Sequence, residues 1–206
     1  ETCEKSENIA QKMGVHCPFI AFPQAGKNPN AFLQAVEVFQ PDAVLVSVPD
    51  HLHASISIKL IEKGLHCLVV KPMAPTLREA QAMVDAAEKN QVVAQVEFHK
   101  RYDESNLLLH DTVQSGKLGD LLYAVIEYSQ QKLIPRDVFR SWAAKTSVFQ
   151  YLGVHYVDLL FFATGFHSKR VTVWGQKSYL HNLGIDTWDA MQVFIEWQNP
   201  KNPSSS

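Results

Sequence analysis

The sequence predicts an α/β protein in two parts: a parallel, doubly wound sheet flanked by helices, then an α+β region whose sheet is mostly antiparallel. Three observations predict this. Up to Phe98, short apolar runs alternate with helical periodicities across short connections, the rhythm of parallel strands joined by crossovers. Beyond about Arg101 long alternating segments dominate, as in antiparallel sheets. The chain also opens in a helix, whereas a doubly wound sheet normally opens with a strand and a glycine-rich turn. The first part is therefore expected to be a truncated sheet over residues 1–99, and the second to occupy 100–206, clipped after the loop-like tail Asn199–Ser206.

Taken in order, Asn8–Met13 reads as a helix stopped by Gly14. Phe32, Val36 and Phe39 share a helical face over Asn30–Phe39. Ala43–Val48 is apolar on both faces, which predicts a buried parallel strand. Leu52, Ile56 and Leu60 step by four within a helix closed by Gly64. His66–Val70 is a second short strand. Thr76 and Glu79 form a capping box for a helix whose expected inner face is Leu77, Ala80, Val84 and Ala87. Val92–Phe98 is the third strand. Thereafter Asn106–Val113 reads as a helix, Leu121–Ser129 as a long strand and Phe149–Ala163 as a strongly apolar helix. Val171–Lys177 and Trp188–Trp197 read as two more strands, the latter with Met191, Val193, Ile195 and Trp197 on one face.

Composition narrows the class. The 206 residues are 46% hydrophobic and 19% charged, as in ordinary globular proteins. A net charge of −2 without a basic cluster argues against nucleic acid as a partner. Three cysteines, Cys3, Cys17 and Cys67, have no paired spacing, which fits a reducing, cytoplasmic compartment. No apolar run approaches membrane-spanning length, and there is no signal-peptide pattern.

Three segments stand at the carboxyl ends of predicted strands: Pro49-Asp50-His51-Leu52-His53, Lys71-Pro72 and His99-Lys100-Arg101-Tyr102. Ligands of open α/β sheets bind at that edge. A lysine there can be desolvated enough to exchange protons near neutrality, although snorkelling at a strand end is the plainer employment. On the apolar helix, Tyr151, His155 and Asp158 fall at i, i+4 and i+7 and line one stripe. His155 is a candidate acid–base group with Asp158 one turn away to orient it; a hydrogen-bonded core histidine is the alternative.

Taken together, Pro49-Asp50-x-x-His53, Lys71-Pro72, Lys100-Arg101-Tyr102 and Gly153-x-His155-x-x-Asp158, in this order, resemble the Gfo/Idh/MocA (glucose–fructose oxidoreductase / inositol dehydrogenase) family over nearly the whole chain. The resemblance implies a truncated Rossmann-type sheet, NAD or NADP as cofactor, and hydride transfer at a hydroxyl-bearing carbon of a sugar, inositol or related polyol. It implies that Lys71, His155, Asp158 and Tyr151 serve catalysis, with His155 as proton acceptor. Pro49, Asp50, His53, Lys71 and Pro72 would line the cofactor, and Lys100, Arg101 and Tyr102 the substrate. It also implies a cis Lys71–Pro72 peptide and a homo-oligomer, dimer or tetramer. The dinucleotide fingerprint would precede Glu1. This chain departs from the family pattern at Val70, where the family usually has Glu. It departs again at Tyr151, where many members have Asp, and at Lys145–Val148, where a glycine-rich turn is common. Two other readings stay open: a metal-dependent hydrolase using His51, His53, His99, His155 and Asp158, although no metal is expected, and a non-catalytic ligand-binding relative.

Overall fold

The computed structural model describes residues 8–14, 20–23 and 27–200. Backbone contacts divide the chain into two compact units, Glu1–Val44 and Leu45–Ser206. In the first, a helical segment at 8–12 ends at Gly14, whose φ of +68° suits a residue without a Cβ. Helix α1 (Ala31–Phe39) follows, and its Phe39 ring meets Phe22 edge-on at 6.0 Å. Cys3 and Cys17 lie outside the described residues; Cys67 is buried and unpaired.

A parallel sheet of three strands runs in the order β1 (Ala43–Val46), β2 (His66–Val70), β3 (Ala94–Glu97), with Cys67 opposite Ala94 and Val70 opposite Glu97. A short 3-10 turn, Asp50–Leu52, leads into α2 (His53–Ile61), and α3 (Leu77–Asn90) connects β2 to β3. The Thr76 hydroxyl accepts the Glu79 N–H at 3.2 Å and donates to the Glu79 carboxylate at 2.7 Å, the expected capping box. Helix α2 packs on α3 and on β2. Leu60, Ile61, Val69, Met83, Val46 and Cys67 are buried there, each large apolar side chain stabilising by roughly 1.5–3 kcal/mol.

Two expectations are corrected. The strands are covered on one face only: Val46, Cys67 and Val69 are buried, while Leu45 and Leu68 are exposed. Strand residues alternate between faces, so one face carries the buried set and the other the exposed set. The inner face of α3 is carried by Met83 and Ala87 rather than by Leu77, which is 84% exposed, or Val84. Leu77 is the first helical residue after the cap.

The second half begins with the 3-10 turn His99–Tyr102 and α4 (Glu104–Gln114). Two widened π-helical turns follow, Ile134–Val138 and Phe149–Gly153, the latter running directly into α5 (Val154–Thr164). Strands β4 (His167–Gln176) and β5 (Ala190–Gln198) pair antiparallel, with Val173 opposite Val193, and the short α6 (Tyr179–Asn182) lies between them. Asp189 accepts the N–H groups of Tyr179 and Leu180 at 2.8 Å, which satisfies the first turn of α6. Gly175 is required by close approach, since a Cβ there would sit 2.6 Å from the Trp188 ring. On β5 Met191, Val193 and Ile195 are half-buried between exposed neighbours, as the alternation predicts, and from Ile195 to Gln198 every residue is half-buried.

Leu121–Ser129, expected as a strand, joins no ladder. Alternation assigns residues to faces but supplies no hydrogen-bond partner, and Leu122, Tyr123 and Val125 are exposed. This segment, α5 and β5 bound an apolar cavity of about 890 Å³. No helix among the described residues is long and apolar enough to cross a membrane.

Candidate active site

The three segments singled out at strand ends converge on the helix that carries His155, all within the unit Leu45–Ser206. Lys71 follows β2 directly. The Lys71–Pro72 peptide is cis, as the resemblance implies, and the Lys71 ammonium donates to the backbone carbonyl of Tyr151 at 2.6 Å. It also sits 3.9 Å above the centre of the Tyr151 ring, a cation–π contact. Burial pushes the Lys71 pKa down; Asp50 and Glu97 oppose this, and Lys100 adds to it. Desolvation wins, so the amine is easier to deprotonate than an ordinary lysine.

His155 stands one turn along from Tyr151. It is 3% exposed, and its Nδ1 has no hydrogen-bond partner. Its ring meets those of His99, at 4.6 Å, and Phe98, at 6.4 Å, both edge-on. Burial, then the nearby charges of Lys71, His99 and Lys100, push its pKa down to about 4 against the opposing pull of Glu97. At neutral pH the ring is therefore uncharged and can accept a proton. His99 itself is held by the Glu97 carboxylate at 2.9 Å.

Asp50 is buried and accepts from the Thr146 hydroxyl at 2.6 Å. Thr187 in turn donates to the Thr146 carbonyl at 2.9 Å. Sequence reasoning did not select Thr146. Its only signal was position, inside the Lys145–Val148 stretch that replaces the family's glycine-rich turn. His51 accepts from Lys145 at 3.3 Å. His53 is wholly buried, with Nδ1 2.6 Å from the Pro72 carbonyl oxygen and Nε2 2.8 Å from that of Val48, so its ring has no atom left to line a cofactor.

Other expected members are employed differently. Asp158 does not touch His155. It receives two hydrogen bonds from Arg101, at 2.8 Å from Nε and 2.5 Å from Nη2. A guanidinium matches a carboxylate with two parallel donors, a stronger bond than a single imidazole N–H offers. The same pairing occupies the Arg101 fork, which also lies over the rings of Phe98 and Phe162. Lys100 faces Asp103 at 3.6 Å, and Tyr102 is exposed. Tyr151 lies inside the π-helical turn, so its relation to His155 is not the i, i+4 spacing of a regular α-helix. Its hydroxyl pKa is pushed up by burial, then by Asp50 and Tyr128, which keeps it a hydrogen-bond donor.

Among the described residues no group of three His, Cys, Asp or Glu side chains is placed to hold a metal ion. The apolar cavity beside β5 includes neither Lys71 nor His155. Half-buried Pro49, buried Pro72, the desolvated Lys71 and the unpartnered Nδ1 of His155 together meet the carboxyl edge of parallel strands. Such a set fits a flat nicotinamide ring beside an alcohol.

Comparison with known proteins identifies the family. Residues 1–98 match the profile described as "Oxidoreductase family, NAD-binding Rossmann fold", and residues 107–201 match the Gfo/Idh/MocA C-terminal domain. The chain belongs to the Gfo/Idh/MocA oxidoreductase family. It is similar to the rhizopine catabolism protein MocA of Rhizobium meliloti, with 30% identity over 161 residues, 78% of this chain and 50% of that protein. It is also similar to the glucose-6-phosphate 3-dehydrogenase of Bacillus subtilis, with 28% identity over 75% of this chain and 45% of the relative. In fold it resembles the inositol dehydrogenase homologue of Azotobacter vinelandii solved with NADH and myo-inositol. The TM-score is 0.74 at 21% identity, over 95% of this chain and 51% of that one. The Gfo/Idh/MocA chain described here thus spans about half the length of these relatives.

Proposed function

We propose that this chain carries the reaction centre of an NAD(P)-dependent oxidoreductase that moves hydride between the cofactor and a hydroxyl-bearing carbon of a sugar, inositol or related polyol. Residues 1–99 form its partial dinucleotide-binding part, and 100–206 its substrate and assembly part. The observation that carries the reading is the meeting of Lys71 and His155: a desolvated amine and a buried, uncharged imidazole with a free nitrogen, at one sheet edge.

Alcohol oxidation requires a base for the hydroxyl proton and a cation beside the developing alkoxide. His155 accepts the proton at Nδ1, and the Lys71 ammonium stabilises the oxygen. Bound nicotinamide supplies the hydride acceptor. Pro49, Asp50, Lys71 and Pro72 line its side of the site. Tyr151 and Lys100 donate hydrogen bonds or charge to substrate hydroxyls, and the Arg101–Asp158 pair holds the helix in place. The buried, unpaired thiol of Cys67 agrees with a cytoplasmic setting.

In the whole enzyme, Lys71→Ala or His155→Ala should lower turnover on the order of a hundredfold or more, with cofactor affinity nearly unchanged. Steady-state kinetics with a polyol panel, together with cofactor binding by fluorescence, checks both. Full turnover in either variant would remove the acid–base assignment. The absence of nicotinamide reduction with every polyol would favour the non-catalytic reading that Val70 and Tyr151 raise.

A further inference from the structure

We infer that His53 is a positioning residue: its imidazole clamps the end of β1 to the loop that carries Lys71, and so sets where the Lys71 amine stands. The inference rests on the reading of Lys71 given above.

The geometry is direct. His53 opens α2, and its side chain is wholly buried. Its Nδ1 faces the Pro72 carbonyl oxygen at 2.6 Å, across 19 residues of sequence, and its Nε2 faces the Val48 carbonyl oxygen at 2.8 Å. Pro72 is the residue immediately after Lys71, and Val48 lies two residues before Asp50. One ring therefore fixes both loops. From one of them Lys71 reaches the Tyr151 carbonyl, and from the other Asp50 accepts from Thr146.

Among the described residues no other side chain hydrogen-bonds to those two carbonyls. The two ring nitrogens point in different directions, each at hydrogen-bond distance from one of the oxygens, and no smaller polar side chain spans that gap. A glutamine at position 53 carries both of its N–H donors on one nitrogen, so it does not reproduce the two opposed contacts of the ring. Ser57, one turn further along α2 and equally buried, makes no hydrogen bond to either loop, so it serves as a matched control. Asp50, Glu97 and Lys100 are the charged groups that act on Lys71, with His155 close by. All remain present when position 53 is changed.

The test compares His53→Gln and Ser57→Ala in the full-length polypeptide by competitive acylation of lysines with acetic anhydride across a pH series, read by mass spectrometry. The clamp predicts that in His53→Gln the labelling of Lys71 speeds up and its midpoint rises towards that of an ordinary lysine, while Ser57→Ala leaves both unchanged. Turnover in His53→Gln should fall on the order of tenfold to a hundredfold, the scale expected when a reacting group is displaced by about 1 Å. Cofactor dissociation should not change. Because labelling needs no turnover, it judges the clamp even where the oxidoreductase reading fails. Unchanged Lys71 labelling in a folded His53→Gln protein would overturn the inference. So would weakened cofactor binding with Lys71 undisturbed, or equal effects from Ser57→Ala. Should His53→Gln fail to fold, deuterium exchange at the C2 position of His53 in the unaltered protein decides. Slow exchange unmoved by NADH supports the clamp, and fast exchange or exchange altered by NADH overturns it.

Discussion

His155 concentrates the chemistry of the chain on one ring. Its folded pKa of about 4 lies below the ordinary 6.5, because burial and neighbouring cations disfavour the imidazolium. The sign of the linkage follows. Between those two values the unfolded chain binds a proton that the folded chain refuses, so stability falls as pH drops from 6.5 towards 4 and is full above 6.5. Over that window the loss amounts to about 3 kcal/mol from this residue. Urea unfolding at pH 7 and pH 4.5 should therefore show a smaller acid loss in His155→Gln than in the unaltered protein. Equal losses would mean that the ring is not buried in its neutral form.

The element that presents His155 is held from two sides. The π-helical turn Phe149–Gly153 places Tyr151 under Lys71, while Asp158 further along is gripped by Arg101. Asp158→Asn should lower stability by about 2 kcal/mol, since the partly buried guanidinium loses its charged partner. The acid limb of the pH–rate profile should stay where it is, because Asp158 does not touch His155; a shifted limb would restore an orienting role. The helix and the strand ends were legible from local signals: periodicity, the Thr76 cap, and lysine after an apolar run. The Asp158 partner was not, since Arg101 lies 57 residues away and a stripe on a helix says nothing of what crosses it. The widened turn was equally silent, because five residues in a π-turn have the composition of an α-turn. On α3 the choice of Leu77 over Met83 shows that a helical period fixes a stripe only to within a residue.

At the scale of the molecule, the two sheets are unequally covered. Phe194 on β5 is 73% exposed, and Trp174 on β4, two positions along from its partner Thr172, is exposed on the same face. An apolar sheet face of this kind is more often an interface than free surface. We propose that this face serves a homo-oligomer, dimer or tetramer, of the full-length protein. Multi-angle light scattering should give a multiple of the protomer mass, reduced towards one protomer in Phe194→Glu. A monomer before mutation would remove the proposal. The proposed small-molecule partner is a sugar or polyol, which a base, an ammonium and hydrogen-bond donors at one site would suit. The metal-ligand reading loses its footing here, since His53 is spent on two carbonyls and Asp158 on a guanidinium.

The bonds that build the site also set the order in which it can exist. Lys71 to Tyr151 spans 80 residues, Thr146 to Asp50 spans 96, and Arg101 to Asp158 spans 57, whereas the β2–β3 pairing and the Thr76 cap close within about 30. Loops that long close late, because their entropy must be overcome before the contact returns anything. On a ribosome the three-stranded sheet can form while the histidine helix is still in the exit tunnel. Until residues 151 and 155 have emerged, Lys71 lacks the carbonyl it holds and the imidazole beside it, and the nascent chain is folded in part with its site unassembled.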